Sequence, residues 1–164
     1  MPAFRVRPMR PGDVEPVLAL IEDVVEERQW LSTEPPMPQE RIRARTVEAL
    51  DDPHCLLLVA VDAADRVIGE LTAFGRPNRP ADIGMSVAKE WRGNGVGTAL
   101  MQTCVEWAQR NHVHKLALWV WPHNAAALHL YEKFGFEREG LLRSHYKRGD
   151  GEVWDVVVMG RIIG

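Results

Sequence analysis

Cysteine is scarce in this chain. Its 164 residues carry two, Cys55 and Cys104, each inside an apolar stretch. Buried, reduced thiols are the expectation, in keeping with a cytoplasmic protein rather than with a disulfide framework. Long hydrophobic runs are missing too: the stretch around 156–159 falls far short of the roughly 20 apolar residues of a membrane-spanning helix. The N-terminal "MPAFRVRPMRPGD" has no continuous apolar segment of the secretory kind. Nor is there a basic excess, since the net charge is −3, so DNA and RNA are poor partners. What is present is 46% hydrophobic and 26% charged, ordinary for a globular chain whose length suits one domain, 1–164, with a real core.

Periodicity organises the chain. "FRVR" alternates as a short first strand, and "VEPVLALIEDVVEE" keeps Val14, Val17, Leu18, Ile21, Val24 and Val25 at helical spacing, with Asp13 as the expected N-cap. "STEPPMPQE" holds three prolines and reads as a loop before a helix from about Arg41 to Leu50. Three strands follow over 55–61, 67–74 and 81–88, joined by short turns and therefore antiparallel. Helical spacing returns from Thr98 to Arg110, then a strand over 115–121 and a helix starting at Asn124 and ending before Gly135. Two closing strands are expected around 136–139 and 152–159. The strand–helix–strand unit from Ile83 to Trp121 should be a parallel crossover, giving an α/β fold with a mixed, mostly antiparallel sheet covered on both faces.

One stretch stands out. "WRGNGVGTALM" places Gly93, Gly95 and Gly97 at alternate positions where a helix must begin. A helix N-terminus offers unpaired N–H groups and a positive dipole end, and glycines let an anion approach the backbone with no Cβ in the way. Arg92 is expected to add positive charge at the loop entrance. A P-loop is excluded because Gly97, not lysine, precedes Thr98. A dinucleotide fingerprint is excluded because the sixth position counted from Gly93 is Thr98.

The spacing arginine, two residues, glycine, one residue, glycine, after a strand ending "SVAKEW", resembles the acetyl-CoA loop of the GNAT superfamily of N-acetyltransferases. "WVWPHNAAALHLYEKFGFEREG" extends the resemblance, with Asn124 after a strand, Tyr131 seven residues on and Gly135-Phe136 before the next strand. The likeness spans about 67–160. The tail, with Gly140, Arg143, Tyr146 and Asp155, looks like the small-molecule and amino-acid branch. The resemblance implies a GNAT-like sheet with its parallel unit at the cofactor site, an acetyl-CoA-binding core over 81–135, and an N-terminal part that shapes the acceptor site. It also implies cofactor contacts from Met85, Ser86, Val87, Arg92, Gly93, Asn94, Gly95, Val96, Gly97, Thr98, Asn124 and Tyr131.

Acetyl transfer from a thioester to an amine needs a free amine, a home for the carbonyl's developing charge, and a proton for the departing thiolate. The resemblance assigns the charge to backbone N–H groups near Val87. Tyr131 is the candidate acid, though it equally fits an apolar helix face beside Leu128 and Phe134. For the base, Asp82 and Glu70 are candidates on neighbouring strands, each also readable as a solvated strand carboxylate; a water chain or His123 could serve instead. The position five before Asn124, a glutamate in ribosomal-protein N-terminal acetyltransferases, is Trp119 here, which counts against that substrate class.

The expected activity is therefore direct, acetyl-CoA-dependent N-acetylation of an amino acid or other small amine. Protein N-termini or lysines, and a non-catalytic CoA-binding module, are the alternatives. Trp119 and Trp121 should share a strand face, as core or as an apolar wall of the acceptor pocket, and Trp30 with Met37 hints at an acceptor with an apolar part. "HVH" at 112–114 has no third ligand in sight, so no metal is expected. The resemblance allows a homodimer, although no residue demands one.

Overall fold

The computed structural model describes residues 2–164. Strand β1 (Phe4–Pro8) leads through a single helical turn, Pro11–Asp13, into helix α1 (Val14–Glu26), and then α2 (Gln39–Leu50). A meander follows: β2 (Leu56–Asp62), β3 (Val67–Phe74) and β4 (Ala81–Val87). Next come α3 (Val96–Arg110), β5 (Lys115–Val120), α4 (Ala125–Lys133) and the hairpin of β6 (Glu137–Lys147) and β7 (Val153–Ile162). All seven strands share one sheet in the order β1-β2-β3-β4-β5-β7-β6. Every neighbouring pair is antiparallel except β4 and β5. The mixed, mostly antiparallel sheet expected from the periodicity is what forms.

β2 reads as one continuous apolar run because both of its faces are buried. Leu57, Val59 and Val61 meet Val17 of α1 and Ala49 of α2, while Leu58 and Ala60 face the opposite layer with Leu100, Met101 and Cys104 of α3. Leu116, Leu118 and Val120 of β5 and Leu128 of α4 complete that second layer. Helices thus cover both faces. Gly69 shows how close α3 lies: a Cβ there would come within 2.8 Å of Val96 Cγ1.

Local expectations were met unevenly. Asn124 caps α4 through Ala127 N–H, which donates to its Oδ1 at 3.2 Å, and Gly135 ends that helix at φ +82°. Asp13 behaves differently from the expected N-cap of α1. Its carboxylate accepts from the Arg10 N–H at 2.7 Å and from both terminal nitrogens of Arg7 at 2.6 and 3.0 Å, so it closes the preceding turn and pairs with β1. β6 runs to Lys147, well past the expected 136–139, because bulges after Arg138 and Leu142 break the alternation and an exposed edge strand needs no apolar face.

Candidate active site

β4 and β5 pair only at Ala81 with Leu116 and at Asp82 with Ala117. Beyond that point the two strands part. β4 stays bonded to β3 as far as Gly69 with Val87, and β5 stays bonded to β7 as far as Val120 with Val157. The edges that face each other across the gap therefore have no strand partner. Ala88 N–H bonds back to Ile68 O at 2.9 Å, so the alternation of an antiparallel ladder turns the Val87 N–H the other way, into the gap. Unpaired backbone groups of this kind can accept an added extended chain that carries amides.

The gap opens into a cavity of about 550 Å³ that continues to the glycine loop. Gly93 and Gly95 adopt φ +76° and +84°, and a Cβ on either would meet nothing within 4 Å. Both turn the chain with free space left over the backbone. Gly97 has a different reason to be glycine: a Cβ there would sit 3.2 Å from Leu130 Cδ2 and 3.5 Å from Met85 Cε, so it lets α3 and α4 close together. No side chain caps the first turn of α3 and no acidic residue lies in it. The N–H groups of Val96, Gly97 and Thr98 are left for an anion.

Of the residues expected at a cofactor, Met85, Ser86, Val87, Arg92, Gly93, Gly95, Val96, Gly97, Thr98, Asn124 and Tyr131 all line this one cavity. Asn94 does not; its side chain donates to Arg92 O at 3.1 Å. Arg92 lies at the loop entrance as expected, and its charge is paired there. Its Nη1 and Nη2 donate to the two oxygens of Glu27 at 2.9 and 2.8 Å, and its Nε donates to Val87 O at 3.1 Å. His129 and Lys133 also line the cavity, one turn apart on α4. Their i, i+4 spacing is the signal that "LHLYEK" carries in the sequence.

The other end of the cavity is aromatic. Trp30 and Leu31 from the segment after α1, Trp119 from β5, Trp121 just past the end of β5, and Tyr146 from β6 line it. Trp121 is buried while Trp119 is 55% exposed, so the shared face is wall rather than core. Trp121 packs edge-on against Tyr146 and Trp154, with centroids 5.3 and 5.1 Å away. Among the described residues lining the cavity there is no aspartate or glutamate.

The candidate acid and bases separate clearly. Tyr131 is buried beside Phe136 and lines the cavity; desolvation, with a contribution from the Glu70 charge, pushes its phenol up to about 12. Glu70 is 4% exposed on β3, and burial pushes its carboxyl up to about 7, while Ser86 pulls it part of the way back. Ser86 is the register partner of Glu70 on β4 and does line the cavity. Asp82 lies exposed where β4 and β5 still pair, at the closed end of the gap, and is not part of the lining. His123 stacks on Trp121 and places Nε2 2.8 Å from Gln29 O, outside the lining. Arg143 and Asp155 sit at the β6 bulge, where Ser144 N–H donates to Asp155 Oδ1 at 2.7 Å.

Residues 19–136 match the model of the acetyltransferase (GNAT) family. The chain belongs to that family. It is an N-acetyltransferase whose acetyl donor is acetyl-CoA, and the open cradle at α3 together with the unpaired strand edges suits such a donor. The chain is similar to YwnH of Bacillus subtilis (strain 168), whose name carries a provisional phosphinothricin acetyltransferase assignment. The two are 30% identical over 155 residues, 91% of this chain and 93% of that protein. It is 37% identical over 117 residues to the L-amino acid N-acetyltransferase AaaT of Escherichia coli (strain K12), covering 68% of this chain and 71% of that one. Among solved structures, the GCN5-related N-acetyltransferase from Kribbella flavida superposes with a TM-score of 0.83 at 27% identity, over 98% of both chains. No helix among the described residues is long and apolar enough to cross a membrane.

Proposed function

We propose that this GNAT acetyltransferase moves the acetyl group of acetyl-CoA directly to the primary amine of a small molecule, an amino acid or a comparable amine with an apolar body. One observation carries the reading: a single cavity joins the α3 cradle, the β4–β5 gap and an aromatic wall free of carboxylates. The names of the relatives in Bacillus subtilis and Escherichia coli point to the same small-molecule branch.

Acetyl-CoA supplies a thioester, whose carbonyl gains negative charge and whose sulfur must leave. The N–H groups of Val96, Gly97 and Thr98 hold its pyrophosphate, with Lys133 and His129 on the facing helix. Met85 to Val87 pair with the extended arm, Asn124 adds a side-chain contact, and the Val87 N–H stabilises the carbonyl oxygen. Tyr131 faces the sulfur. Handing a proton from a phenol near 12 to a thiolate of reference pKa about 8.5 would run uphill by about 5 kcal/mol. Tyr131 therefore serves the leaving sulfur as a hydrogen-bond donor, and solvent completes the protonation.

Glu70 receives the amine's proton through Ser86. A carboxyl near 7 cannot easily strip a resting ammonium, since taking a proton from an amine of about 10.4 would cost about 5 kcal/mol, so the acceptor must attack as the free amine and Glu70 takes the proton that attack makes acidic. Neither cysteine lines the cavity, and burial in the core pushes the Cys104 thiol up to about 12, which supports transfer without an acyl-enzyme. The test is a panel of amino acids, polyamines, aminoglycosides and peptides with acetyl-CoA, following thiol release. Turnover highest with amino acids that carry apolar side chains is the expected result, and a preference for polyamines would overturn it.

A further inference from the structure

Arg148, at the end of the β6–β7 hairpin, is a buried cation with an unusual set of partners. Its side chain is 3% exposed. Nη1 donates to Leu31 O and Ser32 O at 3.2 and 3.4 Å, and Nη2 donates to Arg28 O at 3.2 Å. The nearest carboxylate, Glu34 Oε1, is 3.8 Å from Nε and also accepts from the Gly149 N–H. The guanidinium lies 4.1 Å over the Trp154 ring, and Trp154 in turn packs edge-on against Trp121.

Burying a guanidinium is costly unless its donors are satisfied, and only a planar fork reaches several carbonyls at once. Here those carbonyls belong to a segment with no regular structure, 28–34, more than a hundred residues away in sequence. That segment carries Trp30, Leu31 and Ser32 into the cavity, while Arg148's own hairpin supplies Tyr146 and Val156. One side chain therefore holds the two halves of the aromatic wall in register.

We infer that Arg148 is a positioning residue for acceptor binding: it clamps the 28–34 segment against the β6–β7 hairpin and so sets the shape of the acceptor wall without touching donor or acceptor. The inference rests on the aromatic end of the cavity being the acceptor site, as proposed above. It separates that end from the donor end, because Arg148 makes no contact with the glycine loop.

The test uses the full-length chain with Arg148→Ala and Arg148→Lys. In Arg148→Ala the KM of the best amine from the panel should rise at least tenfold, with the KM of acetyl-CoA unchanged within twofold. Millimolar guanidinium should recover most of the loss, whereas Arg148→Lys should stay impaired because an ammonium cannot bridge the carbonyls. Amide hydrogen exchange across 28–34 should quicken at least tenfold in Arg148→Ala. An acceptor KM within twofold of the parent, an equal rise in both KM values, or unchanged exchange would overturn the clamp. If Arg148→Ala does not fold, Glu34→Gln loosens the same junction and should raise the acceptor KM about threefold; no change there overturns the clamp as well. A parent protein that acetylates no amine would sink the acceptor reading, and the exchange measurement would still decide whether the clamp exists.

Discussion

Arg92 and Glu27 form a two-pronged ion pair, at 2.8 and 2.9 Å, that joins the C-terminal end of α1 to the entrance of the glycine loop. Trp30 Nε1 donates to the same carboxylate, and the Arg92 pairing holds the Glu27 carboxyl below the usual range for a glutamate. The glycine loop and the segment that carries Trp30 thus meet at one carboxylate.

Arg92→Lys should show what the fork contributes. A lysine keeps the charge but cannot donate to both Glu27 oxygens and to Val87 O. With both partners partly solvated, a loss of about 1 kcal/mol is expected, and thermal unfolding should fall by about 2–4 °C. An unchanged midpoint would show that the pair is idle in solution.

Two glycines of the loop should answer differently to substitution. Gly95→Val places a β-branched residue at φ +84° and fills the space over the cradle, so CoA binding followed by calorimetry should weaken at least tenfold. Gly97→Ala has an ordinary φ and presses only on the flexible end of Leu130, so a stability loss of about 1 kcal/mol with CoA affinity nearly kept is expected. Equal effects on binding would remove the distinction.

Tyr131→Phe should cost turnover rather than binding. Losing one donor aimed at developing charge is worth about 10²- to 10³-fold in kcat. The KM for acetyl-CoA should move less than twofold, because the ring still fills its place beside Phe136. A kcat within threefold of the parent would leave Tyr131 as packing alone.

Glu70 makes a stability prediction with a definite sign. Its carboxyl holds a proton up to about 7 when folded but only to about 4.5 when unfolded, so between those values the folded state binds more protons. Stability must then fall as pH rises from 4.5 to 7, by roughly 3 kcal/mol from this group. Glu70→Gln should remove that slope, unfolding later than the parent at pH 8, and should also remove a rising limb near pH 7 in kcat/KM. Parallel pH–stability curves for the two proteins would refute the assignment.

Much of the site was legible because it rests on short-range rules. The cap at Asn124, the stop at Gly135 and the open turns at Gly93 and Gly95 follow from residues within a few positions of one another. The sequence also placed Glu70 and Asp82 on neighbouring strands, but their shared face follows from the β3–β4 register. It could not say that one lies buried across from Ser86 and the other at the closed end of a gap, because where β4 leaves β5 is decided by packing between layers.

By itself the sequence determined the order of elements, the mixed sheet and the cradle at α3, since periodicity and backbone preference act locally. Only the tertiary structure decided that Arg92 belongs to Glu27, 65 residues away, and that Arg148 reaches Leu31 across 117. Such pairings depend on which charges the folded layers bring together and bury. No window of sequence contains both partners, so no local pattern could announce them.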